Sequence, residues 1–179
     1  FAKKLLGQII FCYFLQKKGW LGVDQNKTFG TGDESFFRNQ FEKYNKNKEN
    51  FFNNFLEFFF YQGLNSQNKN DFVKEINCKV PYIGGGLFEY FEGYNWKKET
   101  LKIPNSTFSN TNKDGILDIF ELYNFTVDEN ENMDVEISID PEMLGRVFEN
   151  LLEENIRKKG GSFYTPRSIV NFMSEDSMI

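Results

Sequence analysis

The sequence of 179 residues contains no histidine and only two cysteines. The lack of histidine excludes Ser-His-Asp triads and histidine general bases, and two cysteines alone cannot complete a structural zinc site. We interpret Cys12 and Cys78 as reduced, buried thiols of an intracellular protein rather than as a disulfide. Most familiar catalytic arrangements are therefore absent.

Long apolar runs are also missing. The longest, residues 9–15, is much shorter than the roughly 20 residues that cross a bilayer, so we predict no membrane span and a cytoplasmic location. Proline is scarce, with 4 residues, whereas phenylalanine occurs 22 times, which favours a chain that buries a core over a disordered one. The sequence begins at Phe1 without a methionine, and we expect it to be a piece of a longer protein.

The net charge of −5 conceals an uneven distribution. Residues 1–113 carry 16 basic and 11 acidic groups, whereas residues 114–179 carry 5 and 15. Nucleic-acid surfaces need a concentrated basic stripe, and a small surplus spread over the first 113 residues is too dilute to form one. We expect this chain alone to bind DNA weakly.

Hydrophobic periodicity predicts a mainly α, irregular helical fold. Helices are expected over residues 1–18, 35–44, 49–63, 115–123 and 141–159 and from Thr165 onward, and the alternation near residues 125–139 predicts a short β hairpin or strand pair. Residues 65–112 lack periodicity and predict an irregular, packed segment. We divide the chain into a helical region, residues 1–112, and a second region, residues 113–179.

The third predicted helix carries a broad aromatic stripe. Large apolar residues occur there at positions i, i+1, i+4, i+5, i+8 and i+9, namely Phe51, Phe52, Phe55, Leu56, Phe59 and Phe60. We interpret this stripe as core, and a ligand groove is the alternative.

Residues 110–121 match the spacing of a calcium-binding loop. Asn110, Asn112, Asp114, Gly115 and Glu121 occupy its positions 1, 3, 5, 6 and 12. Asparagine at the first position removes a charge, and no helical stripe precedes the loop. We therefore favour the alternative, a helix start capped by Asn112 or Asp114, and predict no metal site.

Residues 160–167 combine two glycines, two aromatics and a Thr-Pro pair at the start of a predicted helix. A helix N-terminus offers unpaired N–H groups and the positive end of the helix dipole, which suit a carboxylate or phosphate. The rings of Phe163 and Tyr164 would cover the apolar or cationic part of the same ligand. An ordinary capped helix after a loop is the alternative.

Residues 161–170, GSFYTPRSIV, resemble the motif that opens the methyltransferase domain of adenine-specific N6 DNA methyltransferases in restriction-modification systems. Residues 140–152, DPEMLGRVFENLL, resemble the helix leading into that motif in large single-chain enzymes of type IIG and related kinds. Weaker similarities occur at residues 80–89 and 115–120. The resemblance implies that residues 113–179 are a helical lead-in and the truncated start of a Rossmann-like domain, ending in its first helix.

The resemblance also implies a cofactor and its contacts. In the family, the Tyr-Thr-Pro stretch holds the methionine end of S-adenosylmethionine. Tyr164, Thr165 and Pro166 are therefore the implied cofactor-binding residues, with Phe163 a lesser candidate, and Thr165 would meet the carboxylate.

The implied activity belongs to a parent protein, a site-specific adenine DNA methyltransferase. The family's catalytic tetrapeptide, Asp/Asn-Pro-Pro-Tyr/Phe, occurs nowhere in the 179 residues, so no catalytic residue is assigned and this chain alone is expected to be inactive. Its implied partners are double-stranded DNA, through the parent, and the remainder of the methyltransferase domain. The alternative is a non-enzymatic helical spacer or DNA-clasping module, in which the aromatic stripe is an interface.

Overall fold

The computed structural model describes residues 1–84, 86–89, 94–98, 101–122, 124–125, 138–139, 145 and 167–177. This part of the chain is mainly helical, as predicted. Helices α1 (Ala2–Lys17) and α2 (Phe36–Lys46) precede a helical stretch over residues 51–64, which we call the aromatic helix. The helices α3 (Asn105–Phe108), α4 (Ile116–Phe120) and α5 (Arg167–Asp176) follow.

In the described part of the chain, four strands of two residues each form two small ladders. Strands β1 (Phe72–Val73) and β2 (Cys78–Lys79) pair antiparallel, with a single turn of 3-10 helix, Lys74–Ile76, between them. Strands β3 (Asn124–Phe125) and β4 (Ser138–Ile139) pair in parallel. The strand pair predicted near residues 125–139 is therefore present, but it is not a hairpin, because a hairpin requires antiparallel strands.

The loop after α1 closes against the end of that helix through Gly19. Its backbone has a φ of 65°, and its carbonyl oxygen accepts hydrogen bonds from the N–H groups of Gly30 at 2.9 Å and Gly32 at 2.8 Å. A Cβ atom on Gly19 would lie 2.7 Å from the backbone of Gly30. Only glycine fits there, because the left-handed conformation and the close approach both exclude a side chain.

The aromatic helix departs from α geometry. Its segments Phe52–Leu56 and Phe59–Leu64 are π-helical, with backbone hydrogen bonds that span five residues rather than four. In an α-helix, a repeat of four residues drifts by about 40° each time around the axis. A wider turn offsets this drift and keeps the phenylalanines of the four-residue repeat aligned.

The ring geometry agrees with that explanation. The rings of Phe51 and Phe55 stack at 5.3 Å with an interplanar angle of 23°, and those of Phe55 and Phe59 stack at 5.2 Å and 18°. We call these three rings the phenylalanine ladder. All of the stripe residues are at most 1% exposed, so the interpretation as core is confirmed. The ligand groove was the wrong alternative, and the stripe is not available as an interface.

Neighbouring helices place ring edges against the ladder. The ring of Phe37 on α2 meets Phe59 at 5.7 Å and 83°, and the ring of Phe41 meets Phe51 at 5.2 Å and 81°. From the other side, Phe108 of α3 meets Phe51 at 5.2 Å and 76°. Edge-to-face contacts of this kind add to the free energy gained by burial alone. The core is therefore centred on the aromatic helix.

Several predictions fall outside the described residues. The helix expected over residues 141–159 is one of them, apart from Gly145, which is helical. A Rossmann-like ending and the division between residues 112 and 113 remain predictions. Among the described residues, no helix has both the length and the apolar character that a membrane span requires.

Candidate functional sites

The predicted cofactor-binding residues, Phe163, Tyr164, Thr165 and Pro166, lie outside the described residues. The helix expected from Thr165 onward is present over the described residues as α5, Arg167–Asp176. From their helical spacing, Ile169, Val170 and Phe172 were expected to face inward. Instead, these three side chains are 45–68% exposed in the described part of the chain, and Met173 beside them is 59% exposed.

A partly buried ionic cluster joins α2 to the end of α4. The guanidinium of Arg38 donates from Nη2 to Asp118 Oδ1 at 2.8 Å and from Nη1 to Ser109 Oγ at 2.8 Å. It also binds both carboxylate oxygens of Glu121, from Nε at 2.6 Å and from Nη2 at 2.7 Å. We call these four residues the Arg38 cluster. A guanidinium suits this task because its donors form a planar fork that matches carboxylates.

Asp118 is the most deeply buried member of the cluster, with a side chain 2% exposed. Burial alone would raise its pKa, but hydrogen bonds from Ser109 and Arg38, and from the N–H of Asn110, lower the pKa to about 2. The same carboxylate accepts the N–H of Gly115 at 3.3 Å. Since the charged form is so well solvated by protein groups, Asp118 is a carboxylate at neutral pH.

The structure shows where the helix within residues 110–121 begins and what Glu121 binds. Helix α4 begins after Gly115, and Asp118 within its first turn receives the N–H of Gly115, so the prediction of capping by Asn112 or Asp114 was wrong. Glu121, position 12 of the calcium pattern, has both carboxylate oxygens bound to Arg38. No group of three or more metal-binding side chains occurs in the described ranges.

A second polar site, which matches no motif of the sequence analysis, is an open pocket of about 560 Å³ beside the aromatic helix. Its lining consists of three asparagines, one carboxylate, one indole and two lysines, namely Asn50, Asn53, Asn54, Glu57, Trp96, Lys97 and Lys102. We call it the Glu57 pocket. Glu57 is 2% exposed, although it belongs to the helix that carries the phenylalanine ladder.

Two polar side chains hold the carboxylate of Glu57. Tyr94 donates its hydroxyl to Oε1, and Asn53 donates Nδ2 to Oε2 at 2.8 Å. Within the described ranges, Glu57 forms no ion pair with a lysine or arginine. This is unusual, because buried charges are generally paired with an opposite charge.

Asparagine side chains build the wall of the Glu57 pocket. Asn50 accepts the N–H of Asn53 at 2.9 Å at the start of the aromatic helix, and its Nδ2 donates to the carbonyl of Ile103 at 2.8 Å. Asn53 donates to the carbonyl of Leu101 at 2.9 Å. These bonds fix residues 101–103 against the helix and so place Lys102 at the pocket. The sequence analysis did not predict this pocket. The signal for it is the acidic residue between Leu56 and Phe58 in an otherwise apolar stretch.

Comparison with known proteins gives one distant relative that covers nearly the whole chain. A protein of Methanocaldococcus jannaschii, provisionally described as a type II restriction enzyme and methyltransferase, is 28% identical over 192 residues. The match covers 99% of this chain, and the chain spans 14% of that relative's length. No family model matches the chain, and no solved structure matches it. The similarity supports a relation to the methyltransferases of restriction-modification systems.

Proposed function

We propose that this chain is the part of an S-adenosylmethionine-dependent adenine-N6 DNA methyltransferase that positions the cofactor-binding motif. The observation that carries the proposal is the similarity of 99% of the chain to a protein described as a restriction enzyme and methyltransferase. The choice of adenine N6 and of the cofactor rests on the resemblance of residues 161–170 to the family motif. The parent would act on double-stranded DNA.

The position of α5 fits the proposed cofactor contact. The described part of the helix starts at Arg167, and Thr165 and Pro166 precede it directly in the sequence. The first N–H groups of a helix lack partners within that helix, and they and the helix dipole favour a carboxylate. In this proposal, the Thr165 hydroxyl and these N–H groups hold the amino-acid end of the cofactor, and Tyr164, Pro166 and, to a lesser degree, Phe163 contact it.

The chemistry would take place on residues outside this chain. S-adenosylmethionine supplies the methyl group when it is bound, and the acceptor is the exocyclic N6 of an adenine rotated out of the duplex. The tetrapeptide that receives the adenine in this family is absent from the 179 residues. This chain therefore contributes binding and orientation, and it is inactive alone.

Sequencing the gene beyond the codon for Ile179 provides the first test. A strand followed by a glycine-rich loop, and later a Pro-Pro-aromatic tetrapeptide, must be encoded there if the proposal is right. A different continuation would contradict it.

Calorimetric titration with S-adenosylmethionine provides the second test. We expect saturable binding by the full-length gene product and none by the 179-residue chain. Replacing Thr165 with alanine should weaken the full-length protein's affinity about tenfold, because a hydrogen bond to a charged group is lost. Thr107→Ala, at an exposed threonine of α3, is the matched control and should bind normally. Undiminished binding by Thr165→Ala would remove that residue from the cofactor site.

A further inference from the structure

The carboxylate of Glu57 offers hydrogen-bond acceptors to the pocket. The two carboxylate oxygens of Glu57 have room for about four hydrogen bonds, and Tyr94 and Asn53 supply one each. Both N–H bonds of Asn53 Nδ2 are used, since it donates to Glu57 and to the carbonyl of Leu101. These two bonds fix the orientation of the amide, and its Oδ1 is buried without a partner.

The Glu57 carboxylate defines what a ligand must bring. A buried acceptor without a hydrogen bond costs free energy, and so does a buried carboxylate without an opposite charge. A group that carries N–H donors would satisfy Glu57 and match the polarity of the pocket. A ligand that presents carbonyl oxygens at the same place would be repelled.

The rest of the pocket favours a flat and anionic molecule. The half-buried indole of Trp96 forms one wall, and the ammonium group of Lys97 lies 5.4 Å from the centroid of that ring. Lys102 lines the pocket from residues 101–103 and is exposed. Two exposed lysines disfavour a small cation by repulsion, and they attract a phosphate.

We propose that the Glu57 pocket binds a nucleotide whose base carries an exocyclic amino group. Carboxylates accept hydrogen bonds from such amino groups, indole rings stack on bases, and lysines neutralise the phosphate. The volume of about 560 Å³ lies within the range of small-molecule sites. The base contacts the indole of Trp96, its amino group donates to Glu57, and Lys97 and Lys102 contact the phosphate.

The nucleotide has two conceivable sources, a free mononucleotide and an unpaired base of a DNA strand. The ligand chemistry follows from the pocket alone and does not require the proposed function. If the proposed function is wrong, the full-length protein will not bind S-adenosylmethionine. If the present inference is wrong, nucleotide titrations of the chain will show no saturable binding. The two failures are therefore distinguishable.

Tryptophan fluorescence tests the inference directly. The chain has two tryptophans, so Trp20→Phe leaves Trp96 as the single reporter beside the pocket. Saturable quenching by AMP and CMP is expected, with IMP and UMP at least about tenfold weaker because a carbonyl replaces the amino group. Single-stranded decamers of deoxyadenosine and deoxythymidine identify the source. Tighter binding of the deoxyadenosine decamer than of AMP indicates an unpaired strand, and weaker binding indicates a free nucleotide. The deoxythymidine decamer, whose base lacks the amino group, is the control.

Variants assign the binding to named groups. In the Trp20→Phe background, Glu57→Gln should weaken AMP binding about tenfold and reduce the preference for AMP over IMP. Lys102→Ala should weaken AMP binding a few-fold and lower its salt dependence. Lys98→Ala, a neighbouring lysine that does not line the pocket, is the control and should bind as the parent chain does.

Three results would overturn the inference. They are the absence of saturable quenching by any amino-bearing nucleotide, equal affinities for AMP and IMP, and equal effects of Lys98→Ala and Lys102→Ala. Displacement of AMP by inorganic phosphate at the same concentration would also overturn it, because the base would then contribute nothing. If circular dichroism shows that Glu57→Gln is unfolded, the AMP-to-IMP comparison and the lysine pair still decide.

Discussion

Helix α2 is attached to the rest of the molecule in two chemically different ways, and the comparison separates two kinds of stabilisation. Phe37 and Phe41 place ring edges against the phenylalanine ladder, whereas Arg38, between them in sequence, holds Asp118 and Glu121. Ring contacts tolerate changes of salt and pH, because they depend on burial and shape. The Arg38 cluster depends on charge, and it is stable only while every group has its partner.

The largest effect is expected from removing the central ring of the ladder. Phe55→Ala leaves a cavity among Phe51, Phe59 and the rings of α2, and should lower the free energy of unfolding by about 3–5 kcal/mol. Urea denaturation at several salt concentrations measures the loss, which should not vary with salt. Phe172→Ala, at a ring that is 68% exposed, is the control and should change stability by less than about 0.5 kcal/mol.

A smaller loss is expected from breaking the Arg38 cluster. Arg38→Met keeps most of the aliphatic volume but leaves Asp118 buried without its counter-charge, which should cost about 2–4 kcal/mol. Lys17→Met removes the solvent-exposed ion pair of Lys17 with Glu34, whose charged groups lie 3.4 Å apart, and should cost less than about 0.5 kcal/mol.

A double variant sharpens the comparison. Because the charges act as one unit, Arg38→Met combined with Asp118→Asn should cost less than the sum of the two single changes. Urea denaturation of the four proteins gives the coupling free energy. Additive effects would mean that the cluster adds nothing beyond its separate side chains.

The smallest of these effects appears only in acid. The pKa of Asp118 is about 2 in the folded chain against an ordinary value of 3.8, so the unfolded chain binds this proton more readily. The contribution of Asp118 to stability is complete above about pH 4 and is lost as the pH falls toward 2, by about 2 kcal/mol. Urea denaturation from pH 5 to pH 2 should show a steeper decline for the parent chain than for Asp118→Asn. Equal slopes would contradict the assigned pKa.

Regular helices were predictable because their apolar residues repeat within one element. Residues 1–18 and 35–44 were predicted as helices, and the structure has them as Ala2–Lys17 and Phe36–Lys46. The aromatic helix was predicted in position but not in its π geometry, although a repeat of four residues is the signal for it. Strands β1 and β2 were missed, because residues 65–112 show no apolar alternation of the kind found near residues 125–139.

The polar sites were not predictable from local patterns. Arg38 and Asp118 are separated by 80 positions, and Tyr94 and Glu57 by 37, so neither pair leaves a periodic signal. Asparagines that look like turn formers in the sequence instead fix residues 101–103 against a helix. The motif at residues 163–166 was found through resemblance to a family, and its role stays a prediction.

The π-helical geometry of the aromatic helix limits where this chain can gain or lose residues. Removing one residue between the two π segments would rotate everything after it by about 100° about the helix axis. This rotation would turn Phe59 and Phe60 away from their ring partners. It would also change their position relative to the upstream half of the helix, which carries Phe51 and Phe55. Insertions and deletions should therefore collect in the loops that flank residues 51–64, and the helix itself should keep a constant length wherever this domain occurs.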